Sequence, residues 1–279
     1  MKTLFDADGN DGQTNEVEKI KALDELFLSS ARYRNSQDYF DLLKFINKFP
    51  KLSPFNAFLI HMQNNGVEIV MTAEKWKKYR RQIKFNARPL VILIPFGPVQ
   101  FVYDIADTEG DEIPESLINP FYTHGTLSYG IFNKTVKNSL KESIQYQEEV
   151  MHINAAGFAT TLKNGEFMVK VNSTYPINVK YSTLVHELGH IFSGHLGKTK
   201  NSWWEQRPTL SVVSKEIEAE SISYLVCNRI GLKTTSETYL SNYIRDHASI
   251  PPISLDTILT VSNYIEQMGR LGFKTKARK

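Results

Sequence analysis

Apolar residues in the first third of the chain fall three and four apart. EVEKIKALDELFLSSARYR (16–34) and SQDYFDLLKFINKF (36–49) carry Leu, Ile and Phe at that spacing, which predicts two amphipathic helices, with Ser36 capping the second. SPFNAFLIHMQNNG (53–66) predicts a third, with Ser53 as N-cap, Pro54 at its first position and Gly66 closing it. The pattern then changes. VEIVMT (67–72) and PLVILIP (89–95) predict strands around a short helix at AEKWKKY (73–79), and VQFVYDIA (99–106), after Gly97-Pro98, predicts another strand. Residues 107–135, rich in Gly, Pro, Asn and Asp, predict a loop, and a helix is expected near 135–150. In GFATTLKNGEFMVKVN (157–172), Asn164-Gly165 between two strand-like runs is a hairpin signal. Helical spacing returns around 181–195 and over 214–232, 236–248 and 254–270. No internal repeat interrupts this order.

The expected class is α+β. A disordered start (1–14) precedes a small α+β domain (15–110), a linker or covering loop (111–135), a mainly helical domain with a small sheet (136–272) and a basic tail (273–279). At 279 residues and 32.0 kDa, with 41% hydrophobic residues, the chain can bury two modest cores. The single cysteine, Cys227, excludes an internal disulfide framework and a cysteine-rich zinc knot. The first residues turn acidic and polar after two apolar ones, unlike a signal peptide, and no run of eighteen apolar residues occurs, so the expected setting is the cytoplasm, away from membranes.

The densest chemistry lies in YSTLVHELGHIFSGH (181–195). On a helix, positions i and i+4 share a face, so His186 and His190 can converge on one metal ion while Glu187 reaches the water beside it. Catalytic zinc takes a third protein ligand, and SKEIEAESISYLVCNRIGL (214–232) offers Glu216, Glu218 and Glu220. Ala219, Ser223, Val226, Cys227 and Ile230 define an inward stripe, bordered by Glu216 and Glu220, with Glu218 turned away. Glu216 is therefore the expected third ligand, and Glu220 the group that accepts a proton from the free nitrogen of a liganding histidine. The reverse assignment stays open. The competing reading makes all three solvated acids favoured by the helix dipole. His195 lies about 140° of helix rotation from His190 and is read as part of the helix end near Gly194 rather than as a ligand. With zinc in place, Glu187 is expected to act as general base on the attacking water and then to protonate the leaving amine.

A formal net charge of +3 does not by itself announce a nucleic-acid partner, but the charges cluster. From Lys75 to Arg88 the chain holds Lys75, Lys77, Lys78, Arg80, Arg81, Lys84 and Arg88 without one acid, interleaved with Trp76, Tyr79 and Phe85. Cations that neutralise phosphates, mixed with rings that stack on bases, suit single-stranded DNA. A solvated cationic face that docks an acidic protein is the alternative.

HELGHIFSGHLG followed by EIEAESISYLVC resembles the ImmA/IrrE-type zinc metallopeptidases and, more closely, the ArdC-like antirestriction proteins. SPFNAFLIHMQ, WKKYRRQIKFNARPLVILIP and VYDIADTEG are similar to the amino-terminal single-strand DNA-binding domain of the latter. The resemblance covers roughly residues 35–110 and 165–230. It implies a zincin-like (gluzincin) metallopeptidase domain, with zinc on His186 and His190, Glu187 as catalytic base and Glu216 as third ligand, behind a DNA-binding domain. Relatives tend to carry glycine in the turn after the basic segment, where this chain has Asn86-Ala87. Members of these groups include proteases of DNA-bound repressors and proteins that shield incoming plasmid DNA. The expected function is thus peptidase action on a protein regulator or in the biology of mobile elements. The rival is a DNA-binding antirestriction protein whose zinc site is structural or vestigial.

Overall fold

A computed structural model describes residues 35–94, 97, 99–113, 127–152, 155–200 and 202–276. The helix expected over 16–34, residues 1–14, most of the linker and the last three residues of the tail lie outside the described residues. The class is α+β, as the sequence predicts.

Helix α1 (Ser36–Asn47) is capped by Asn35, whose side chain accepts from the backbone N–H groups of Gln37 and Asp38; the cap is thus one residue earlier than Ser36, which is buried inside the helix. Helix α2 (Pro54–Gln63) starts as expected, with Ser53 accepting from Asn56 N–H and Pro54 in the first turn. Strand β1 (Val70–Met71), helix α3 (Ala73–Lys78), β2 (Arg81–Ile83), β3 (Leu90–Ile92), β4 (Gln100–Asp104) and β5 (Thr108–Gly110) follow. They form an antiparallel sheet in the order β1-β4-β3 and a separate β2–β5 ribbon. The ribbon was not legible, because β5 lies where the sequence reads as loop. The glycine-less turn closes without left-handed backbone at Asn86 or Ala87, by Ala87 N–H to Lys84 O at 3.0 Å, while Arg80 takes a φ of 56° instead.

The outer edge of β3 is not left bare. Asn56 and Gln63 of α2 pair their side-chain amides with it in both directions: Asn56 gives to Leu93 O and takes from Leu93 N–H, each at 2.9 Å, and Gln63 does the same with Val91 at 2.8 Å. An edge that would otherwise offer free peptide groups is closed by a helix.

Helix α4 (Tyr129–Leu140) is followed by β6 (Ile144–Glu149), so the helix expected over 135–150 ends early and turns into strand. Ser143, at a φ of 59°, makes the turn, and Ile144 and Tyr146, two apart between polar neighbours, suit a strand that faces the core on one side at its start. The hairpin signal at Asn164-Gly165 holds: β7 (Gly157–Thr161) and β8 (Phe167–Asn172) pair antiparallel, and β6 joins β8 in parallel, giving the order β6-β8-β7. Helices α5 (Ile177–Phe192), α6 (Val212–Asn228), α7 (Thr235–Asp246) and α8 (Leu255–Met268) complete the chain.

One continuous apolar core runs from Tyr39 to Met268. Helix α6 is at its centre, packed by α5, α8, α7 and α1, and for that reason it is buried on nearly every side rather than along one stripe. The stripe expectation fails at both ends: Glu218, expected to face away, is 0% exposed, and Ile230, expected inside, is 36% exposed. Helices α1 and α2 pack across the sequence division at 111–135, onto α6, α7 and α8. Tyr39 donates to Ser221 Oγ at 2.8 Å. Arg229, just past α6, donates to Glu266 of α8 at 2.6 Å and to the carbonyl oxygens of Ile46, Phe49 and Leu52, capping the end of α1. Burial works against the ionised form of Glu266 and raises its carboxyl above the usual range, with the Arg229 guanidinium opposing.

Removing Arg229 strands a buried carboxylate and three carbonyl groups. Arg229→Ala is expected to cost about 3–5 kcal/mol of stability, the range for breaking a buried pair from one side, and the added change Glu266→Gln to recover part of it. Urea unfolding of the two variants against the parent chain measures both.

Candidate metal centre

The sequence places His186 and His190 on one face of α5, and the structure aims that face at α6. The two Nε2 atoms stand 3.1 Å apart. Glu216 reaches both, with Oε2 3.6 Å from His186 Nε2 and Oε1 3.5 Å from His190 Nε2. These three residues form a group whose ligand atoms all lie within 4.8 Å of one another. Four donors at about 2.0–2.1 Å in a tetrahedron are separated by roughly 3.3 Å, so the observed spacings suit the edges of a small tetrahedral site. Two imidazole nitrogens and a carboxylate oxygen are also the donor types that zinc accepts.

The helices can come this close because Gly189 faces Ala219: a Cβ added at 189 would be 3.4 Å from Ala219 Cα, already in contact. A glycine inside a helix permits this close approach by a neighbouring element. Burial, followed by the neighbouring His190, pushes His186 down to about 4, which leaves its imidazole neutral and able to ligate at ordinary pH. The His190 imidazole against Glu216 holds that carboxyl below its usual value despite partial burial. Glu187 differs. Burial raises it to about 6, opposed by His190 and by the backbone N–H of Ala159 on β7, which hydrogen-bonds its carboxylate. A carboxyl tuned close to neutrality beside an ion site is suited to accept and return a proton.

Glu220 lies beside His186, but its Oε1 is 3.6 Å from Nδ1, beyond the hydrogen-bond length that its expected role as proton acceptor requires, and burial raises its pKa. Between the two carboxylates, the geometry gives Glu216 the inner position. Glu218 and His195, not assigned a part by the sequence, lie on the far side of His190. His195 Nδ1 is 3.0 Å from His190 Nδ1, and His195 Nε2 is 2.9 Å from Glu218 Oε2. No helical periodicity could have revealed this. His195 follows Gly194, whose left-handed φ of 74° turns the chain back toward the helix it has just left. A Cβ at 194 would be 2.0 Å from Glu205 O, so only glycine allows the reversal.

Trp203 and Trp204 pack rather than line a cleft. Trp203 stacks on Phe192 at 5.7 Å, and Trp204 is buried with its N–H on Gly197 O. Of the later tyrosines and histidine, Tyr224 is buried against Phe40, and Tyr243 stacks on His247 at 4.2 Å. Tyr239 is exposed, and what burial it has, with the Glu216 and Glu220 carboxylates, raises its pKa.

The basic segment divides. Trp76 is 0% exposed, with its indole N–H on Tyr103 O at 2.9 Å, so its ring is part of the interior and cannot stack on a base, a correction to its expected role. Arg81 is tied into the β2–β5 ribbon through Thr108 Oγ1, Thr108 O and the carbonyls of Gly110 and Asp111. Lys84 donates to Ala106 O at 2.8 Å, and Arg80 approaches Asp111 at 3.8 Å; both remain exposed. Lys75, Lys77, Lys78 and Arg88 project into solvent. Phe85 is 101% exposed and Phe101, on β4, 53%. The sequence did not single out Phe101, whose exposure follows from its facing away from the core on an alternating strand.

Among the described residues no helix is long and apolar enough to cross a membrane. No family model and no curated protein matches the sequence. Among solved structures, the chain is similar to the antirestriction protein ArdC from plasmid R388 in its Mn(II)-bound crystal structure. The alignment covers 95% of this chain and 100% of that one, at 13% identity and a TM-score of 0.38.

Proposed function

We propose that this protein is a metal-dependent peptidase that uses zinc. The observation that carries the reading is the convergence of His186, His190 and Glu216 from two helices, with a proton-accepting carboxylate, Glu187, next to His186 in the same helix. The two imidazoles and Glu216 would hold the ion. When bound, a divalent cation supplies Lewis acidity, polarising a carbonyl and making water a nucleophile near neutral pH. Glu187 takes the proton of the attacking water and returns it to the departing amine, its carboxylate oriented by the Ala159 N–H. Strand β7 is terminal in its sheet and touches Glu187 through Ala159, which suits an extended peptide added along that edge. A protein or peptide is therefore the substrate class.

The exposed lysines and arginines around Phe85 support single-stranded DNA as a second partner, with the backbone neutralised by Lys75, Lys77, Lys78, Arg80, Lys84 and Arg88 and a base stacked on the ring. Together with the sequence resemblance, this favours a substrate found on DNA, such as a regulator, and a role in antirestriction or mobile-element biology.

Elemental analysis of the purified chain is expected to give about one zinc per molecule, lost in His190→Ala and in Glu216→Ala. A parent chain that takes up no zinc after chelation and reloading sinks the peptidase reading. Glu187→Gln is expected to keep the zinc and lose hydrolysis by about 10²–10⁴-fold, measured against a casein or repressor substrate. An unchanged rate would remove Glu187 from the chemistry. Binding to a single-stranded oligonucleotide should weaken steeply with salt, and Phe85→Ala should weaken it further by about 1–3 kcal/mol. Equal binding by Phe85→Ala would show that the ring is not a stacking platform.

A further inference from the structure

Behind His190 lies a chain of polar groups whose proton positions follow from their partners. Glu218 is a carboxylate with every neighbour a donor. Arg207 gives it two hydrogen bonds at 2.7 Å, one to each oxygen, and the backbone N–H of Ser254 adds another at 2.7 Å. The remaining neighbour is His195 Nε2 at 2.9 Å, in a contact whose two side chains are 1% and 0% exposed. A buried carboxylate so paired is an acceptor only, so His195 must carry its hydrogen on Nε2. In a neutral imidazole the other nitrogen is then a bare lone pair. That nitrogen, His195 Nδ1, faces His190 Nδ1 at 3.0 Å and accepts its hydrogen. His190 is left with a bare Nε2, the atom that faces His186 and Glu216.

We propose that His195 and Glu218 are positioning residues that fix the tautomer and ring orientation of His190, so that its Nε2 lone pair is held ready for the metal. The inference rests on the metal-site reading above. Free histidine favours the opposite tautomer, with hydrogen on Nε2, which cannot ligate there. The loop that builds the relay is itself tied: Gly194 turns the chain back, and its carbonyl accepts Arg207 N–H at 2.9 Å, so His195 and Arg207 enter the same buried space. His186 has no such support, since Glu220 stands 3.6 Å from its Nδ1.

The test is zinc affinity of the full chain, by competition with a chromogenic chelator, for the parent, His195→Phe and His195→Gln. Phe keeps a planar ring but offers no hydrogen bond, whereas Gln can accept from His190 and donate to Glu218. His195→Phe is expected to raise the zinc Kd by about 10–100-fold, with most of the loss recovered in His195→Gln. A folded His195→Phe with parental affinity overturns the inference and leaves the metal site standing. A Gln variant as weak as Phe assigns His195 to packing and also overturns it. A parent chain that binds no zinc overturns both readings. The tautomers can be read without any variant, from a long-range nitrogen–proton spectrum of the labelled parent chain. Hydrogen on His190 Nδ1 and His195 Nε2 is the expected pattern, and the reverse placement overturns the proposal whether or not the variants fold.

Discussion

Helix α6 carries three carboxylates toward the interior, Glu218 wholly buried and Glu216 and Glu220 partly so, and a carboxylate taken out of water without a partner costs several kcal/mol even after the surroundings relax. Each is answered differently. Glu218, fully buried, is met by a guanidinium, a backbone N–H and an imidazole. Glu216 faces two imidazoles at the site. Glu220 stands near a third nitrogen and accepts a hydrogen bond from the Ser236 hydroxyl, while burial raises its pKa. The placement of α5, of the loop from Gly194 to Arg207 and of the start of α8 can be read as the means by which these charges are accommodated.

This also explains why the site sits at a helix crossing rather than on a loop. Donors on two packed helices keep their separation because the backbones cannot drift apart without opening the core around Leu188, Ile191, Ile217 and Ile222. Gly189 against Ala219 sets how near the helices come, and hence whether a carboxylate on one can share an ion with imidazoles on the other.

What the sequence revealed was local. The i, i+4 histidines, the placing of Glu216 and Glu220 on the side facing them and the Asn-Gly hairpin all follow from the period of a helix or the geometry of a turn, whereas the order of the two carboxylates does not. What it hid depended on distant neighbours. Glu218 reads as an outward-facing acid until four helices are known to surround α6, and His195 reads as a helix end until Gly194 reverses the chain. Residues 144–147 alternate as a strand should, but so short a pattern beside a helix does not stand out from it. Trp76 has the composition of a base-stacking residue, but its indole N–H finds a carbonyl on β4 and its ring a place in the interior. Aromatic residues among cations are ambiguous until exposure separates those that face water from those that do not.

The hydrogen bonds that bind α1 to α6 and to Arg229 just past it join residues 182 and 183 positions apart in sequence. On a ribosome, α1 and α2 emerge long before the partners that cover them, with the apolar faces of Tyr39, Phe40, Leu43 and Phe58 uncovered until α6 and α8 have been made. Closing so long a loop is slow compared with local helix formation, and the exposed faces invite association in the meantime. The core around His186, His190 and Glu216 is therefore completed only once α6 and α8 have been made, and a nascent chain stalled before α6 holds the histidines of α5 without the carboxylate that stands beside them.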